Sequence, residues 1–195
     1  MTVKDFASVT GADTGIWLMP DTGNVTVSNV GTVTGTAVDG ILATTIGGTI
    51  AIQNTGNVGG ITGGIYGIYG IYADAIGGNV NIGTTTTNGV ITGGTTGILA
   101  LSLGAGNVAI TTNKDVTGTA VDGIYARAGA GGAGNIAVNV QAGTVKGLVF
   151  GADLVNLGTG NVDVTIAAPA TSIVVQRQRD RIALDAANDV AVGRV

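Results

Sequence analysis

The nine residues VTGTAVDGI occur twice in this chain, at 33–41 and again at 116–124. The two copies begin 83 residues apart in a sequence of 195 residues. Such a duplication indicates either a duplicated functional site or a structural unit that repeats along the chain. Shorter patterns between and around the two copies distinguish these interpretations.

Three short patterns recur, each at steps of 25 to 30 residues. Gly-Ile-x-Ala, or a relative of it, begins at residues 15, 40, 70, 97, 123 and 151. Gly-Asn-Val-x-Val, or a relative, begins at residues 23, 48, 78, 106, 134 and 160. Val-Thr-Gly, or a relative, begins at Val33, Ile61, Ile91, Val116 and Val145. The duplicated nonapeptide is therefore part of a structural unit of about 27 residues that repeats along the chain.

Each pattern is typical of a short β-strand with one buried face. In the second pattern Val and Ile alternate with other residues, which gives the period of two expected of a half-buried strand. Three such strands bury little on their own, but strands of successive units can stack about 4.8 Å apart. The sequence therefore predicts an all-β fold, a right-handed single-stranded parallel β-helix (a solenoid) of about six coils with three short strands per coil.

The coil pattern divides the chain into three parts. It covers residues 15–171, which we predict to be the parallel β-helix. Residues 1–14 lack the pattern and are predicted to be an N-terminal lead-in or cap. Residues 172–195 lack it too, and their charged sequence predicts either a helical cap or a truncated end. A cap is expected because the open end of a solenoid exposes strand edges.

Composition excludes several classes of function. The net charge of −4 argues against nucleic-acid binding, which needs clustered Lys and Arg. The chain has no Cys and no His, so it lacks thiolate and imidazole ligands, and we expect no metal and no cofactor. No apolar run approaches the roughly 18 residues needed to cross a bilayer, so we expect no membrane insertion by this segment.

One asparagine recurs at the same place in the turn before the second strand pattern. The series consists of Asn24, Asn79, Asn107, Asn135 and Asn161, with Thr49 as the exception. Stacked side-chain amides can form hydrogen bonds from coil to coil, so we predict a structural Asn ladder here.

The acidic residues do not form a recognisable catalytic pair. Glycoside hydrolysis needs two carboxyl groups about 5–9.5 Å apart, whereas Asp39 and Asp122 hold equivalent positions three coils apart. Asp74 and Asp163 have no acid at the equivalent positions of neighbouring coils. The stretch GAGGAG at 129–134 fits a dinucleotide-binding pattern, but a strand follows it where that motif requires a helix. We interpret the Asp residues as turn formers and predict that the chain is not an enzyme.

Large apolar residues follow the inward Ile of the first strand pattern in five successive coils. Because neighbouring strand residues point to opposite faces, Trp17, Leu42, Tyr72, Leu99 and Tyr125 are predicted to form one outward row. An insertion in the longest coil adds Tyr66 and Tyr69 nearby. A contiguous exposed apolar row indicates either a surface covered by a flanking segment or a binding surface. In the second case Trp17, Tyr66, Tyr69, Tyr72 and Tyr125 are the candidate contact residues.

The repeats GILATTIGGTIAIQNTGNVGG (40–60), GNVAITTNKDVTGTAVDGIYA (106–126) and GNIAVNVQAGTVKG (134–147) resemble a known class of sequence. They are similar to the glycine-rich parallel β-helix passenger regions of bacterial autotransporters and related surface adhesins. The resemblance covers about residues 15–168 and lies in the style of the repeat. It implies export across the outer membrane and a location at the cell surface or outside the cell. A signal sequence and a C-terminal membrane barrel are not visible in these residues, so we expect flanking domains of a longer chain.

We therefore expect a non-catalytic structural and adhesive segment of an exported bacterial surface protein. Its expected partner is a host or surface protein, or a glycan, that contacts the outward aromatic row. Two alternatives remain open at this point. One is a polysaccharide-active lyase or hydrolase built on the β-helix, and the other is a solenoid that associates with copies of itself end to end.

Overall fold

The structure is a computed structural model that describes residues 1–54, 56, 58–60, 69–84, 89–130 and 132–167. Beyond these it places three strands at 174–178, 182–184 and 191–192. Side chains are described for all of these residues except 54, 58–60 and those after 167. The regular secondary structure of the described residues is entirely β-strand, as expected of a chain rich in β-branched residues and glycine.

The described residues form 22 strands. The first eleven are β1 (Thr2–Lys4), β2 (Ser8–Gly11), β3 (Ile16–Leu18), β4 (Val25–Val30), β5 (Thr32–Gly35), β6 (Ile41–Ile46), β7 (Ile50–Asn54), β8 (Val58–Gly60), β9 (Tyr69–Ile76), β10 (Val80–Gly83) and β11 (Val90–Gly93). The others are β12 (Thr96–Ser102), β13 (Val108–Thr112), β14 (Asp115–Gly118), β15 (Asp122–Ala128), β16 (Ile136–Val140), β17 (Val145–Lys146), β18 (Phe150–Asn156), β19 (Val162–Ile166), β20 (Val174–Gln178), β21 (Ile182–Leu184) and β22 (Ala191–Val192).

The strands stack into three parallel sheets that run the length of the described chain. Sheet A has the order β1-β4-β7-β10-β13-β16-β19-β21, sheet B has β2-β5-β8-β11-β14-β17, and sheet C has β3-β6-β9-β12-β15-β18-β20-β22. From β4 to β16, each strand therefore pairs with the strands three before and three after it in the chain. This connectivity defines a parallel β-helix and confirms the predicted fold class.

The interior is built from equivalent residues of successive coils. In sheet C, for example, Ile41 lies beside Ile71, and Ile98 lies beside Ile124. All four side chains are completely buried, and the rows of sheets A and B are filled in the same way by Val and Ile. A single coil has little apolar surface to bury by itself, so the stacking of coils supplies the hydrophobic stabilisation of the fold.

The predicted Asn ladder follows one corner of the coil, immediately before sheet A. The side-chain oxygen of Asn79 accepts a hydrogen bond from the backbone N–H of Asn107, at 2.8 Å. The oxygen of Asn107 does the same for Asn135, and that of Asn135 for Asn161, at 2.8 and 2.7 Å. Asn24 caps the N–H of Thr49 in the same way, at 2.9 Å. Along the described ladder the bonds therefore run mainly from backbone N–H groups to side-chain oxygens, and one bond joins two side-chain amides, from Nδ2 of Asn107 to Oδ1 of Asn79.

The glycine that precedes this asparagine is required by the close approach of neighbouring coils. A Cβ atom on Gly106 would lie only 2.0 Å from the carbonyl oxygen of Gly78. A Cβ atom on Gly78 would lie 1.7 Å from the carbonyl oxygen of Gly48. The recurring Gly of the second pattern is thus a consequence of backbone stacking.

Strand pairing extends beyond both predicted ends of the β-helix. Residues 1–14, predicted as a lead-in or cap, contribute β1 and β2, which pair with β4 and β5. The reason is visible in Val9-Thr10-Gly11, which repeats the third pattern and lies in register with Val33-Thr34-Gly35. In the tail, β20 pairs with β18 and β21 pairs with β19. The described parts of 172–195 are therefore strands that pair with sheets A and C, in a tail for which the sequence predicted either a helical cap or a truncated end.

In one coil the predicted position of the third pattern is wrong. Ile61 was the predicted position, but Val58 is the residue that pairs with both Val33 and Ile91. Val58 and Ile61 are both β-branched, and the Val-Gly-Gly sequence of β8 lacks the threonine that marks this pattern elsewhere. Ile61 itself lies outside the described residues.

Candidate binding surface

The outer face of sheet C carries two adjacent rows of side chains, and we define the face by these rows in strands β3 to β18. Parallel pairing places the first row in the order Trp17, Leu42, Tyr72, Leu99, Tyr125 and Asp153. The second row lies two positions further along each strand, in the order Thr44, Asp74, Leu101, Arg127 and Val155. The structure therefore brings the large apolar residues of five successive coils side by side.

Exposure differs along the first row. Trp17 is 66% exposed at the N-terminal end of the face, whereas Tyr72 and Tyr125 are half-buried between their neighbours. The row ends in a charged residue, because Asp153 pairs with Tyr125 in the next coil. The face thus offers aromatic rings that are held in place on a rigid sheet and remain open to contact on one side.

The two further tyrosines of the prediction have different outcomes. Tyr66 lies outside the described residues. Tyr69 was predicted to lie in an inserted loop, but it is the first residue of β9 and pairs with Thr96 of β12. The ring of Tyr69 packs against that of Tyr72, with the ring centroids 5.4 Å apart and the planes tilted by 45°. Tyr69 and Tyr72 are therefore one aromatic pair at the start of β9.

Polar groups in the second row are incompletely paired. The hydroxyl group of Tyr72 donates a long hydrogen bond of 3.5 Å to Oδ2 of Asp74. Oδ1 of Asp74 and Nε of Arg127 are buried and have no hydrogen-bond partner. Burial raises the pKa of the Asp74 carboxyl above its ordinary value, and the bond from Tyr72 opposes this shift only in part. Because unpaired buried polar groups are costly, both side chains would gain from a ligand that completes their hydrogen bonding.

Two carboxylates that sequence reasoning interpreted as turn formers are buried at the edge of sheet C. Asp39 and Asp122, the two aspartates of the duplicated nonapeptide, are only 3% and 4% exposed. Burial raises the pKa of each to about 6. Oδ1 of Asp39 accepts a hydrogen bond of 2.9 Å from the backbone N–H of Tyr69. Oδ1 of Asp122 has no partner.

Simple strand alternation does not predict this burial. In β15, Asp122, Gly123 and Ile124 are all buried, and the alternation of buried and half-buried residues begins only at Ile124. In β9, Tyr69 also lies two residues before the inward Ile, and its ring packs against the outward Tyr72. The sequence analysis interpreted both aspartates as turn formers.

Asp122 also belongs to a small charged group that the sequence analysis did not identify. The negative charge of Asp153, in the next coil, adds to burial in raising the pKa of Asp122. Burial raises the pKa of Asp153 as well. Tyr125 lies beside Asp153, and burial raises the pKa of its phenol. The positive charge of Arg127 lowers this pKa but does not cancel the effect of burial. At this end of the face the charge of Asp153 therefore acts on the buried carboxyl group of Asp122.

A buried lysine lies away from sheet C, next to a cluster of threonine hydroxyl groups. Lys114 is 1% exposed, and its Nζ donates a hydrogen bond to the backbone carbonyl of Gly56. Burial lowers the pKa of its ammonium group. The hydroxyl group of Thr112 accepts a bond from the N–H of Lys114 and is itself bonded to Thr84. The contacts of Lys114 tie one coil to another, so its role here is structural.

In the described part of the chain, no group of three or more acidic side chains is arranged to hold a metal ion. Among the same residues there is no helix of the length and apolarity needed to cross a membrane.

Comparisons with known proteins gave no relative for this chain. No protein-family model matches the sequence. No curated protein matches it either, and no solved structure matches the fold model. A functional conclusion therefore depends on the residues and geometry of this chain alone.

Proposed function

We propose that this chain is a non-catalytic structural and adhesive segment of an exported bacterial surface protein. The β-helix acts as a rigid scaffold, and the outer face of sheet C contacts a protein or a glycan of another surface. The aromatic anchors are Trp17, the Tyr69–Tyr72 pair and Tyr125.

The observation that carries the proposal is the contiguous row of large apolar side chains on this face. The fold itself does not require these residues, since the hydrophobic core is filled by the inward rows. Trp17 exposes 66% of its surface, although a tryptophan gains substantial free energy when its large ring is buried. Aromatic residues on a rigid, partly exposed surface are typical of sites that anchor a partner.

The proposed location at the cell surface or outside the cell is supported by the style of the repeats, which resembles passenger regions of autotransporters. Long parallel solenoids present extended surfaces that suit the display of contact residues. The composition fits this role too, because the chain has no Cys that would need a particular redox environment.

The proposal is tested by removing the aromatic row without disturbing the core. We expect the variant Trp17→Ala/Tyr72→Ala to lose at least roughly tenfold in binding, since two anchor residues of this kind commonly contribute more than 1 kcal/mol each. The probes are a printed array of neutral and acidic glycans and cultured epithelial cells, both exposed to the labelled full chain. Circular dichroism establishes that the variant keeps its β-structure.

A matched control changes two outward residues of sheet A, Thr26→Ala/Asn81→Ala. These side chains lie in β4 and β10, the strands that follow those of Trp17 and Tyr72 in the chain, but on the face of another sheet. We expect this variant to bind as the unchanged protein does. The proposal is wrong if the wild-type chain binds neither probe, or if the folded aromatic variant binds as well as the control.

A second candidate function is a polysaccharide-active enzyme, which is favoured by the effect of Asp153 on Asp122 and by the raised pKa values of both carboxyl groups. Two carboxyl groups with raised and interacting pKa values are a common basis of acid–base catalysis. The burial of Asp122, 4% exposed, keeps it from a substrate in this conformation, so we place this candidate second. Release of reducing ends or unsaturated products from acidic polysaccharides, abolished in both Asp122→Asn and Asp153→Asn, would favour the enzyme over the adhesive segment.

A further inference from the structure

A pocket lies at the carboxyl ends of β3, β6 and β9, at the edge of the outer face of sheet C. Its volume is about 220 Å³, and it is lined by Met19, Pro20, Asp21, Thr44, Thr45, Ile46, Asp74 and Ile76. The aromatic row described above does not contribute to it. The pocket is therefore a separate feature of the same face, two strand positions beyond the tyrosines.

The walls of the pocket are apolar and exposed. Met19, Ile46 and Ile76 are 53%, 56% and 48% exposed, respectively. Ile46 and Ile76 lie side by side because β6 and β9 pair in register up to their last residues. Thr45 is fixed by a hydrogen bond from its hydroxyl group to the carbonyl of Gly23, at 2.7 Å. The walls are thus held by the sheet and can pack against an aliphatic chain.

The polar groups of the pocket are acidic. Asp21 and Asp74 line it, and none of its lining residues is basic. Among the described residues, Lys4 and Asp5 form the one ion pair. Neither carboxylate of the pocket is therefore paired with a cation of the described chain. Oδ1 of Asp74 has no hydrogen-bond partner, and Oδ2 has only the 3.5 Å bond from Tyr72. The pocket therefore combines two unneutralised carboxylates with an apolar wall.

We propose that this pocket receives the side chain of an arginine or lysine from a polypeptide partner. The aliphatic stem packs on Met19, Ile46 and Ile76, and the cationic head pairs with Asp74 and Asp21. Basic side chains have this division between an apolar stem and a charged head, and a charge-assisted bond to a carboxylate is among the stronger hydrogen bonds. The inference rests on the proposed function in one respect, because it specifies the chemistry of a partner that docks on the outer face of sheet C.

The test uses the full chain and two small probes, N-acetyl-arginine methylamide and the matching citrulline compound. Citrulline has nearly the shape of arginine but no charge. In NMR titrations we expect saturable shifts of the Ile46 and Ile76 methyl groups with the arginine probe and at least roughly tenfold weaker binding of citrulline. We expect Asp74→Asn to weaken arginine binding to the level of citrulline.

The matched control is Asp163→Asn, which removes an exposed aspartate from the outer face of sheet A. Arginine binding should be unchanged in this variant. Equal binding of arginine and citrulline, the absence of saturable shifts, or equal losses in both variants would each overturn the inference. The last result would indicate general attraction to an acidic protein.

The two proposals can fail separately. If the chain binds glycans or cells through Trp17 and Tyr72 but does not select arginine over citrulline, only the pocket inference fails. If it selects arginine at Asp74 but binds neither the array nor the cells, the adhesive function fails while the pocket remains a cation-binding site.

Discussion

The outer faces of sheets A and C differ sharply, although the same repeat builds both. Along the outer face of sheet A the central residues are Thr26, Ala51, Asn81, Ala109, Ala137 and Asp163. The equivalent row of sheet C is Trp17, Leu42, Tyr72, Leu99, Tyr125 and Asp153. The inward rows of both sheets are equally buried. The fold therefore dictates the interior, and the small polar face shows that it does not require large apolar residues outside.

The largest expected effect concerns the backbone stacking that both faces share. We expect Gly106→Ala to lower the free energy of unfolding by roughly 4 kcal/mol, because the new Cβ would lie 2.0 Å from the carbonyl oxygen of Gly78. The control is Gly83→Ala, whose Cβ would meet its nearest atom at 3.8 Å. Urea denaturation of the two variants checks this prediction. Equal stability of both would contradict the close stacking of coils at this corner.

The second effect separates the interior from the outer face within one strand. Ile98 is completely buried, and its neighbour Leu99 points outward. We expect Ile98→Ala to cost about 3 kcal/mol of stability, because it leaves a cavity in the core, and Leu99→Ala to cost about 1 kcal/mol or less. Thermal and urea unfolding measure both. A larger loss for Leu99→Ala would show that the row on sheet C serves stability and not contact.

The strand period accounts for how far the sequence alone could predict this molecule. Equivalent Ile and Val residues, repeated every 25 to 30 residues, determine the coil, the inward rows and the outward position of Trp17. The burial of Asp39 and Asp122 does not follow from this period, because Asp122, Gly123 and Ile124 are all buried at the start of β15. The pocket at Asp74 could not be predicted, because it forms where the carboxyl ends of β3, β6 and β9 lie next to each other.

Two further features of the structure were not predicted from the sequence, the first coil and a contact between charged residues of neighbouring coils. Val9-Thr10-Gly11 carries the third pattern and is followed by the first pattern at Gly15, but no Gly-Asn-Val-x-Val sequence precedes it, so it was not recognised as part of a coil. The Asp122–Asp153 interaction was missed because the two residues do not occupy equivalent positions. Asp122 pairs with Phe150, and Asp153 pairs with Tyr125. Whether the carboxyl groups of Asp122 and Asp153 come close depends on how the side chains of two adjacent coils are oriented, which the sequence alone does not give.

The third effect is a dependence of stability on pH that arises at the edge of sheet C. Asp39 and Asp122 have pKa values of about 6 in the folded chain, above the ordinary value of 3.8 for an unfolded aspartate. The native state therefore binds protons more tightly, and its stability increases as the pH falls from above 6 towards 4. We expect a gain on the order of 2 kcal/mol for each of the two carboxyl groups from pH 8 to pH 4.

Urea denaturation at several pH values measures this gain. The double variant Asp39→Asn/Asp122→Asn should have a clearly weaker pH dependence, while Asp163→Asn should behave as the unchanged chain does. A stability that rises towards pH 8 would contradict the burial of these two carboxylates.

The smallest expected effect concerns the Asn ladder beside sheet A. Asn107→Ala removes the acceptor for the backbone N–H of Asn135, and we expect a loss of about 1 kcal/mol. Asn139→Ala, on the outer face of β16, is the control and should change stability by less than about 0.5 kcal/mol. Hydrogen exchange gives a local readout, since the amide of Asn135 should exchange faster only in the first variant. Unchanged exchange would mean that the ladder does not protect this corner.

The central claim is that the outer face of sheet C is the contact surface, and the single tryptophan of the chain reports on it directly. Acrylamide quenching of Trp17 fluorescence should be compared for the free chain and for the chain saturated with a glycan or cell-surface protein that it binds. The account predicts strong quenching in the free chain, where Trp17 is 66% exposed, and a marked decrease on binding. Weak quenching of the free chain, or quenching that stays unchanged at saturation, would contradict it.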